Sequence, residues 1–171
     1  MLNFGFRLGG QGKGKSCDSL PEGEIFYNRH FDCGLTDWEL DPNYGGSVVD
    51  NGDSTVTLTA TEQWSSLTQS KQFPIPAGDY HMKVIATSIS GKGKMSYKLQ
   101  NGTWHNAFAF DVAGTYEADV TVTQPIVMFD IGADDDPSAV ITFDLISCTT
   151  SVNVVFGADN VVFGSDNVTF I

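Results

Sequence analysis

Basic side chains are scarce in this chain, which has 9 lysines and arginines against 21 aspartates and glutamates. The formal net charge of -12 argues against non-specific binding to nucleic acid or to an anionic membrane, because both attract cationic surfaces. It suits a protein with a soluble surface, or one that binds cations. Cysteines are also few. Three is an odd number and too few for a disulfide framework, so at most one pair can form.

Long hydrophobic runs are absent as well. The amino terminus, MLNFGFRLGG, is interrupted by Asn3, Gly5 and Arg7, and no later stretch approaches the length needed to cross a membrane. We therefore expect no secretion signal. No segment shows a helical period, so helices are not expected to build the fold.

One glycine-rich stretch, FRLGGQGKGKS, matches the phosphate-binding pattern G-x-x-x-x-G-K-[ST] through Gly9, Gly14, Lys15 and Ser16. That pattern has meaning only where a buried strand leads into it and a helix begins at its Lys-Ser end. The following residues, CDSLPEGEIFYN, contain a proline and a glycine that interrupt a helix before two turns. We predict no nucleotide site and interpret the stretch as an extended arm.

From Ile25 to about Ser147 the chain consists of short alternating or β-branched runs separated by turn residues, as is typical of antiparallel strands. The clearest is SVVDNGDSTVTLTAT, in which a turn at Asn51-Gly52-Asp53 separates two valine-containing runs. The pattern predicts roughly eight to ten strands, and hence an all-β antiparallel sandwich or jelly roll.

The carboxyl-terminal segment repeats a short unit, NVVFGADNVVFGSDNVTFI. Strands this short cannot bury both faces within one chain, which predicts a tail that pairs with other subunits or docks along a sheet edge. The alternative is a terminal hairpin that packs on its own domain. We divide the chain into an extended arm at 1–24, a jelly-roll domain at 25–151 and a β-repeat assembly tail at 152–171. The predicted assembly residues are aromatic: Phe4, Phe6, Phe156, Phe163 and Phe170.

Two stretches resemble carbohydrate-binding modules of the family four and nine type. NRHFDCGLTDWEL, from Asn28 to Leu40, resembles their opening strand, and AVITFDLIS, from Ala139 to Ser147, resembles their final strand. The resemblance spans roughly 28–147 and implies a galactose-binding-like β-sandwich jelly roll. It implies a sugar ligand less strongly, because many such domains bind none.

Five residues form the candidate ligand-binding set, because sugars stack on exposed aromatic rings and their hydroxyls need polar partners. They are Tyr44, Trp64, Gln69, Tyr97 and Trp104. Core or rim packing is the alternative for each. Trp38 is expected in the core, since the resembled family places its opening tryptophan inside.

The resemblance also implies a structural calcium near Asp32 and Asp144, which occupy the family's acidic positions on the opening and closing strands. The alternative is a turn cap at Asp144 and a lysine partner for Asp32. Cys33 and Cys148 follow these aspartates at similar offsets, so they either form a disulfide or remain buried free thiols in a reducing cytoplasm.

Catalytic motifs such as G-x-S-x-G and H-E-x-x-H are absent, and we expect no enzyme. A recognition domain with two extended ends and no secretion signal predicts a virion structural protein, such as a fibre, collar or decoration subunit of a tailed bacteriophage. It would assemble with itself and other subunits in the host cytoplasm, and would display the jelly roll to a host glycan. The alternative is a monomeric, extracellular glycan-binding module of a carbohydrate-degrading system.

Overall fold

Ten strands and no helix are found in the computed structural model, which describes residues 20–69 and 73–151. In chain order they are Glu39–Leu40 (β1), Gly46–Asp50 (β2), Val56–Ala60 (β3), Ser66–Thr68 (β4), Gly78–Ser90 (β5), Gly93–Leu99 (β6), Trp104–Phe110 (β7), Gly114–Val122 (β8), Ile126–Ala133 (β9) and Val140–Thr150 (β10). The first sheet has the order β2-β3-β10-β5-β8 and the second the order β1-β4-β9-β6-β7. All pairings are antiparallel, which confirms the predicted β-sandwich. No helix in this part of the chain is long and apolar enough to span a membrane.

The predicted hairpin is β2 and β3, which pair antiparallel with Val49 opposite Thr57. In β3 the buried Val56 and Leu58 alternate with threonines that point outward. The turn between the strands contains Gly52 at φ 77°, a left-handed conformation that glycine adopts without steric cost.

The core lies between the two sheets and follows the period-two alternation of the strands. Along β5, Tyr80, Met82 and Val84 are buried while the side chains between them are partly exposed. The largest fully buried side chains come from both sheets and from the segment before β1: Phe26, Phe31, Leu58, Leu67, Phe129 and Phe143.

The chain before β1 is fastened to the last strand. Ile25 N donates to Cys148 O at 2.7 Å, and Thr150 N donates to Gly23 O at 2.8 Å. Between them Glu24, only 2% exposed, directs its carboxylate into a ring of donors. These donors are Ile25 N, Phe26 N, Arg29 Nη1, Ser147 Oγ and Cys148 N.

The segment that resembles an opening strand, Asn28 to Leu40, is a strand only at its end, where β1 lies. Residues 28–37 form successive turns, and Asn28, Phe31 and Asp37 have φ values of 46°, 53° and 71°. The Asn28 amide explains the turns, because it donates to the carbonyls of Gly34 and Thr36, both at 2.9 Å. The expectation for Trp38 is met: it is 4% exposed in the core, and its indole N–H donates to the Asn28 carbonyl.

The pairing of Cys33 with Cys148 is wrong. Cys33 is disulfide-bonded, whereas Cys148 is a buried free thiol. The alternative, in which both cysteines are free thiols, is therefore wrong for Cys33 and holds only for Cys148. Cys148 lies in β10 opposite the fully buried Met82, so its side chain faces the core, whereas Cys33 lies in the turn segment and is only partly buried.

The predictions made for both ends of the chain fall outside the described residues. This applies to the phosphate-like stretch, to Phe4 and Phe6, and to the repeat tail with Phe156, Phe163 and Phe170. The proposed boundary after Glu24 is untested, although Gly23 and Glu24 already contact β10.

Candidate functional site

The candidate site is the outward face of the second sheet. On β6, Met95 and Tyr97 point into the core, so the alternating Lys94, Ser96 and Lys98 point outward. The same face includes the side chains that pair with these residues on β9 and β7, and those of β4 and the loop before it. We call this surface the Trp face, because an exposed tryptophan lies near each end of its outward row on β6.

At one end of the Trp face, Trp64 is 39% exposed. Its ring meets that of Tyr44 edge to face, with centroids 6.3 Å apart. Lys94 Nζ lies 5.8 Å from the Trp64 ring centroid and 3.4 Å from Asp130 Oδ2. The ammonium therefore contacts an aromatic ring and a carboxylate at once, an arrangement that fixes its position.

The other end repeats this pairing. Trp104 is 41% exposed and lies directly opposite Lys98 in the β6–β7 register, with Lys98 Nζ 5.6 Å from its ring centroid. Lys94 and Lys98 are four residues apart on one strand, a separation of about 13 Å. Between them, Ser96 Oγ donates to Asn106 Oδ1 at 2.8 Å. The face thus has two exposed rings, each beside a lysine, with hydrogen-bonding groups between.

Beside Trp64 lies a cluster of buried polar side chains, Asp41, Ser66 and Asp130, which we call the polar corner. Three of its atoms are buried and have no hydrogen-bond partner among the described residues: Asp41 Oδ2, Ser66 Oγ and Asp130 Oδ1. An unpaired buried polar group costs about 1–3 kcal/mol, so such groups are rare in folded proteins. Asp41 Oδ1, in contrast, accepts hydrogen bonds from the backbone and side-chain nitrogens of Asn43, at 2.9 and 2.7 Å.

The pKa shifts indicate that Asp41, Asp130 and Tyr44 lie close to one another. Burial raises the pKa of Asp130, and the charge of Asp41 raises it further, while the Ser66 hydroxyl and Lys94 oppose the shift. The pKa of the Tyr44 hydroxyl is also raised, chiefly by burial and then by the charges of Asp130 and Asp41. Both carboxylates therefore act on the same ring.

Close backbone contact brings these groups together. Ala133 N donates to Ser65 O at 2.9 Å, and Asp41 N donates to Ser66 O at 2.9 Å, which joins β9, β4 and the end of β1. Gly132 makes this approach feasible, because a Cβ atom there would lie 2.6 Å from Ser66 Cα. A side chain at this position would force β4 away from the corner.

The structure places the five predicted ligand-binding residues in different environments. Tyr44 and Trp64 lie together at one end of the Trp face and Trp104 lies at the other. Gln69 is buried and accepts from Tyr27 N while donating to Tyr27 O, so both ends of its amide are used. Tyr97 points into the core and stacks on His105, with centroids 5.4 Å apart.

Sequence reasoning missed four polar residues of the site: Asp41, Ser66, Lys94 and Asp130. One signal could have found the lysines: strand alternation in GKMSYKL places Lys94 and Lys98 on the face opposite Met95. No local signal marked Asp41 or Asp130, because the sheet order β1-β4-β9 brings them together from distant parts of the chain.

The calcium site stays a prediction. Among residues 20–69 and 73–151, no group of three or more His, Cys, Asp or Glu side chains gathers in a way that could hold a metal. Asp32 Oδ1 accepts a hydrogen bond from Ser54 Oγ at 2.9 Å, and Asp144 lies at an irregularity in β10. These contacts alone do not supply the six or more oxygen ligands that calcium takes.

Comparison with known proteins gives similarity of structure without similarity of sequence. No family model and no curated protein matches the chain. A point mutant of a family 29 carbohydrate-binding module, complexed with cellulohexaose, is similar at TM-score 0.53 and 15% identity, over 74% of this chain and 89% of that one. A xylan-binding domain from carbohydrate-binding module family 22 is similar at TM-score 0.51 and 14% identity, over 78% of this chain and 100% of that one.

A third similar structure contains the CBM22-1 and GH10 modules of the Clostridium thermocellum endo-1,4-beta-D-xylanase 10B, complexed with xylohexaose. It matches at TM-score 0.57 and 12% identity, over 76% of this chain and 29% of that one. At these identities the likeness establishes the fold alone. The chain has a jelly roll like that of carbohydrate-binding modules, and the finer resemblance to families four and nine stays a prediction.

Proposed function

We propose that this chain is a non-enzymatic glycan-binding domain whose ligand lies across the Trp face, between Trp64 and Trp104. The observation that carries the proposal is the pair of exposed tryptophans, each beside a lysine of β6, with the two lysines about 13 Å apart along that strand. Soluble proteins seldom expose two large aromatic rings on one sheet face without a binding role.

The chemistry of the face suits a sugar chain. The apolar C–H side of a sugar ring packs on an aromatic ring, and its hydroxyls require nearby donors and acceptors. Lys94, Lys98 and Asn106 supply such groups beside the rings. Two rings beside lysines that lie about 13 Å apart on β6 fit an oligosaccharide better than a single sugar, which is too short to reach from one lysine to the other.

A binding role is also favoured over glycoside cleavage. Cleavage uses two carboxyl groups that flank the scissile bond, one of which must exchange a proton with the ligand. On the Trp face, the carboxylates of Asp41 and Asp130 are both buried, and Asp130 is held by Lys94. The structurally similar family 29 and family 22 domains are named as binding modules, which supports the same reading.

The proposal is tested by calorimetric titration of the full chain with cellulohexaose and xylohexaose. We expect at least one to bind, and Trp64→Ala and Trp104→Ala each to weaken binding about tenfold or more, as loss of a central aromatic contact does. Val112→Ala is the matched control, because Val112 is 61% exposed but lies in the turn after β7. Equal affinity in all four proteins would rule out the Trp face as the binding site.

We propose the bacteriophage virion as the setting of this domain, with a free glycan-binding module of a carbohydrate-degrading system as the alternative. The virion setting is supported by the tail repeat, whose short units need partner strands. The disulfide at Cys33 fits a protein that functions outside the reducing cytoplasm, which either setting allows. Light scattering separates them: we expect the full chain to assemble and a chain ending at Ser151 to be monomeric. Two monomers would refute the assembly role of the tail.

A further inference from the structure

The polar corner differs from an ordinary protein core, because some of its buried polar atoms have no hydrogen-bond partner. Asp41, Ser66 and Asp130 are at least nine-tenths buried, yet each keeps one polar atom without a partner among the described residues. Two of these atoms are carboxylate oxygens, which can only accept hydrogen bonds when ionised, and the third belongs to a hydroxyl. The two unpaired carboxylate oxygens therefore outnumber the single Ser66 hydroxyl that could donate to them, and a bound molecule that brings donors would complete the corner.

The charges of the corner limit which molecule can do so. Asp130 is paired with Lys94, whereas no cation among the described residues lies within ion-pair distance of Asp41. The corner thus holds two carboxylates against one ammonium. A ligand carboxylate would meet both carboxylates with no free cation to receive it, and would bring no donor.

The corner is covered, and Trp64 is an exposed part of its cover. The Lys94 ammonium lies between Asp130 and the Trp64 ring, and Tyr44 is influenced by both carboxylates. Trp64 has φ 63°, a left-handed conformation that is strained for any residue but glycine, and it is 39% exposed. Stacking of a sugar on this ring would therefore occur close to Lys94, which links the ring to the polar corner.

We infer that the polar corner is a subsite that accepts hydroxyl donors from an uncharged sugar unit when Trp64 turns aside, and that it rejects acidic sugars. This inference rests on the proposed function. Asp41 and Ser66 are then the residues that determine specificity, because their unpaired oxygens receive the ligand hydroxyls. Trp64 both stacks on the sugar and controls access to the corner.

Two substitutions test the corner without disturbing the free protein. Asp41→Asn keeps the oxygen that Asn43 bonds and replaces the unpaired oxygen by a donor of the same shape. Ser66→Ala removes a hydroxyl that has no partner in hydrogen-bonding geometry among the described residues, although it lies near enough to Asp130 to lower the pKa of that carboxyl. Asp111→Asn, in the exposed turn between β7 and β8, is the matched control. Unfolding midpoints of all three confirm that each variant folds.

The experiment measures affinities for cellulohexaose, xylohexaose and hexagalacturonate. We expect the wild type to bind a neutral hexaose at least tenfold more tightly than the galacturonate. Asp41→Asn should weaken neutral binding about ten- to a hundredfold, and Ser66→Ala about two- to tenfold, as expected for charged and neutral hydrogen bonds. Asp41→Asn should also reduce the ratio between the affinity for a neutral hexaose and the affinity for hexagalacturonate.

The outcomes separate this inference from the proposed function. If Trp64→Ala abolishes binding while Asp41→Asn and Ser66→Ala bind as the wild type does, the corner is not a subsite and the glycan-binding proposal stands. Equal or tighter binding of hexagalacturonate by the wild type overturns the inference in the same way. If the wild type binds none of the three hexasaccharides, both proposals fail.

Discussion

Replacing Lys94 by methionine tests whether the buried ion pair holds this end of the Trp face together. The Lys94 side chain is 10% exposed and that of Asp130 is 6% exposed, with 3.4 Å between Nζ and Oδ2. Methionine keeps the length of the side chain and its apolar stem while removing the ammonium. Asp130 would then remain buried beside Asp41 without a compensating charge.

The expected loss is large for a single substitution. Two unit charges at 3.4 Å attract each other by about 5 kcal/mol at an effective dielectric constant near 20. Breaking a buried pair by removing one partner typically costs about 3–5 kcal/mol, because it leaves an uncompensated charge. We therefore expect Lys94→Met to lower the free energy of unfolding by about 3–5 kcal/mol at pH 7.

The loss should shrink in acid, because protonation neutralises Asp130. Burial already raises the pKa of Asp130 above its ordinary value of 3.8, and Lys94 opposes that shift. Stability linked to a raised carboxyl pKa is fully present below the unfolded pKa and is lost as the pH rises through the folded pKa. Without Lys94 the folded pKa rises further, so we expect the cost to be smaller at pH 4 than at pH 7.

The assay is urea unfolding at pH 7 and pH 4, with Lys98→Met as the matched control. Lys98 also lies beside a tryptophan ring but is only partly buried, and no ion pair to a carboxylate among the described residues holds it. Its substitution should change the unfolding free energy by about 1 kcal/mol or less. The double variant Lys94→Met/Asp130→Asn should recover stability at pH 7. A loss for Lys94→Met that is equal at both pH values, with no recovery in the double variant, would refute the reasoning.

Two further predictions concern the contact between the segment before β1 and the last strand. Glu24→Gln replaces one carboxylate oxygen by a donor that Arg29 cannot bond and that Ser147 can bond only by accepting. The substitution should cost about 2–4 kcal/mol in urea unfolding, whereas the exposed Glu39→Gln should cost little. Burial, followed by the charge of Glu24, raises the pKa of the Cys148 thiol. We expect this thiol to resist a thiol reagent at pH 8 in the folded protein and to react in urea; fast labelling without denaturant would show that it is exposed.

The sequence was sufficient for most of the longer strands because their alternation is local, but it did not predict β4, whose three residues are all buried. The valines and leucines of β3 alternate with threonines, and the glycine turns separate neighbouring strands, so each element is set by its own residues. A further exception is 28–37, where a strand was expected from resemblance. There Asn28 bonds two carbonyls across six and eight residues, a contact between side chain and backbone that alternation does not reveal.

The candidate site was only partly predictable, because its parts come from distant positions. Trp64 and Trp104 were recognisable as aromatic residues in polar surroundings. Gln69 was predicted to bind a ligand on the same grounds, but in the fold its amide bonds the Tyr27 backbone instead. Asp41 and Asp130 meet only because β4 pairs with both β1 and β9, and such sheet order cannot be obtained from composition or spacing.

Two buried carboxylate environments in one small domain show why the polar corner is best understood as a site. Glu24 receives five donors, three from the backbone, so this fold can satisfy a buried carboxylate fully. Asp41 and Asp130 each keep an oxygen without a partner in the described structure, beside an exposed tryptophan in a strained conformation. A fold under selection for stability alone would replace such groups by apolar ones at little cost. Their presence near the ring that would stack on a sugar is explained if the missing donors belong to the ligand.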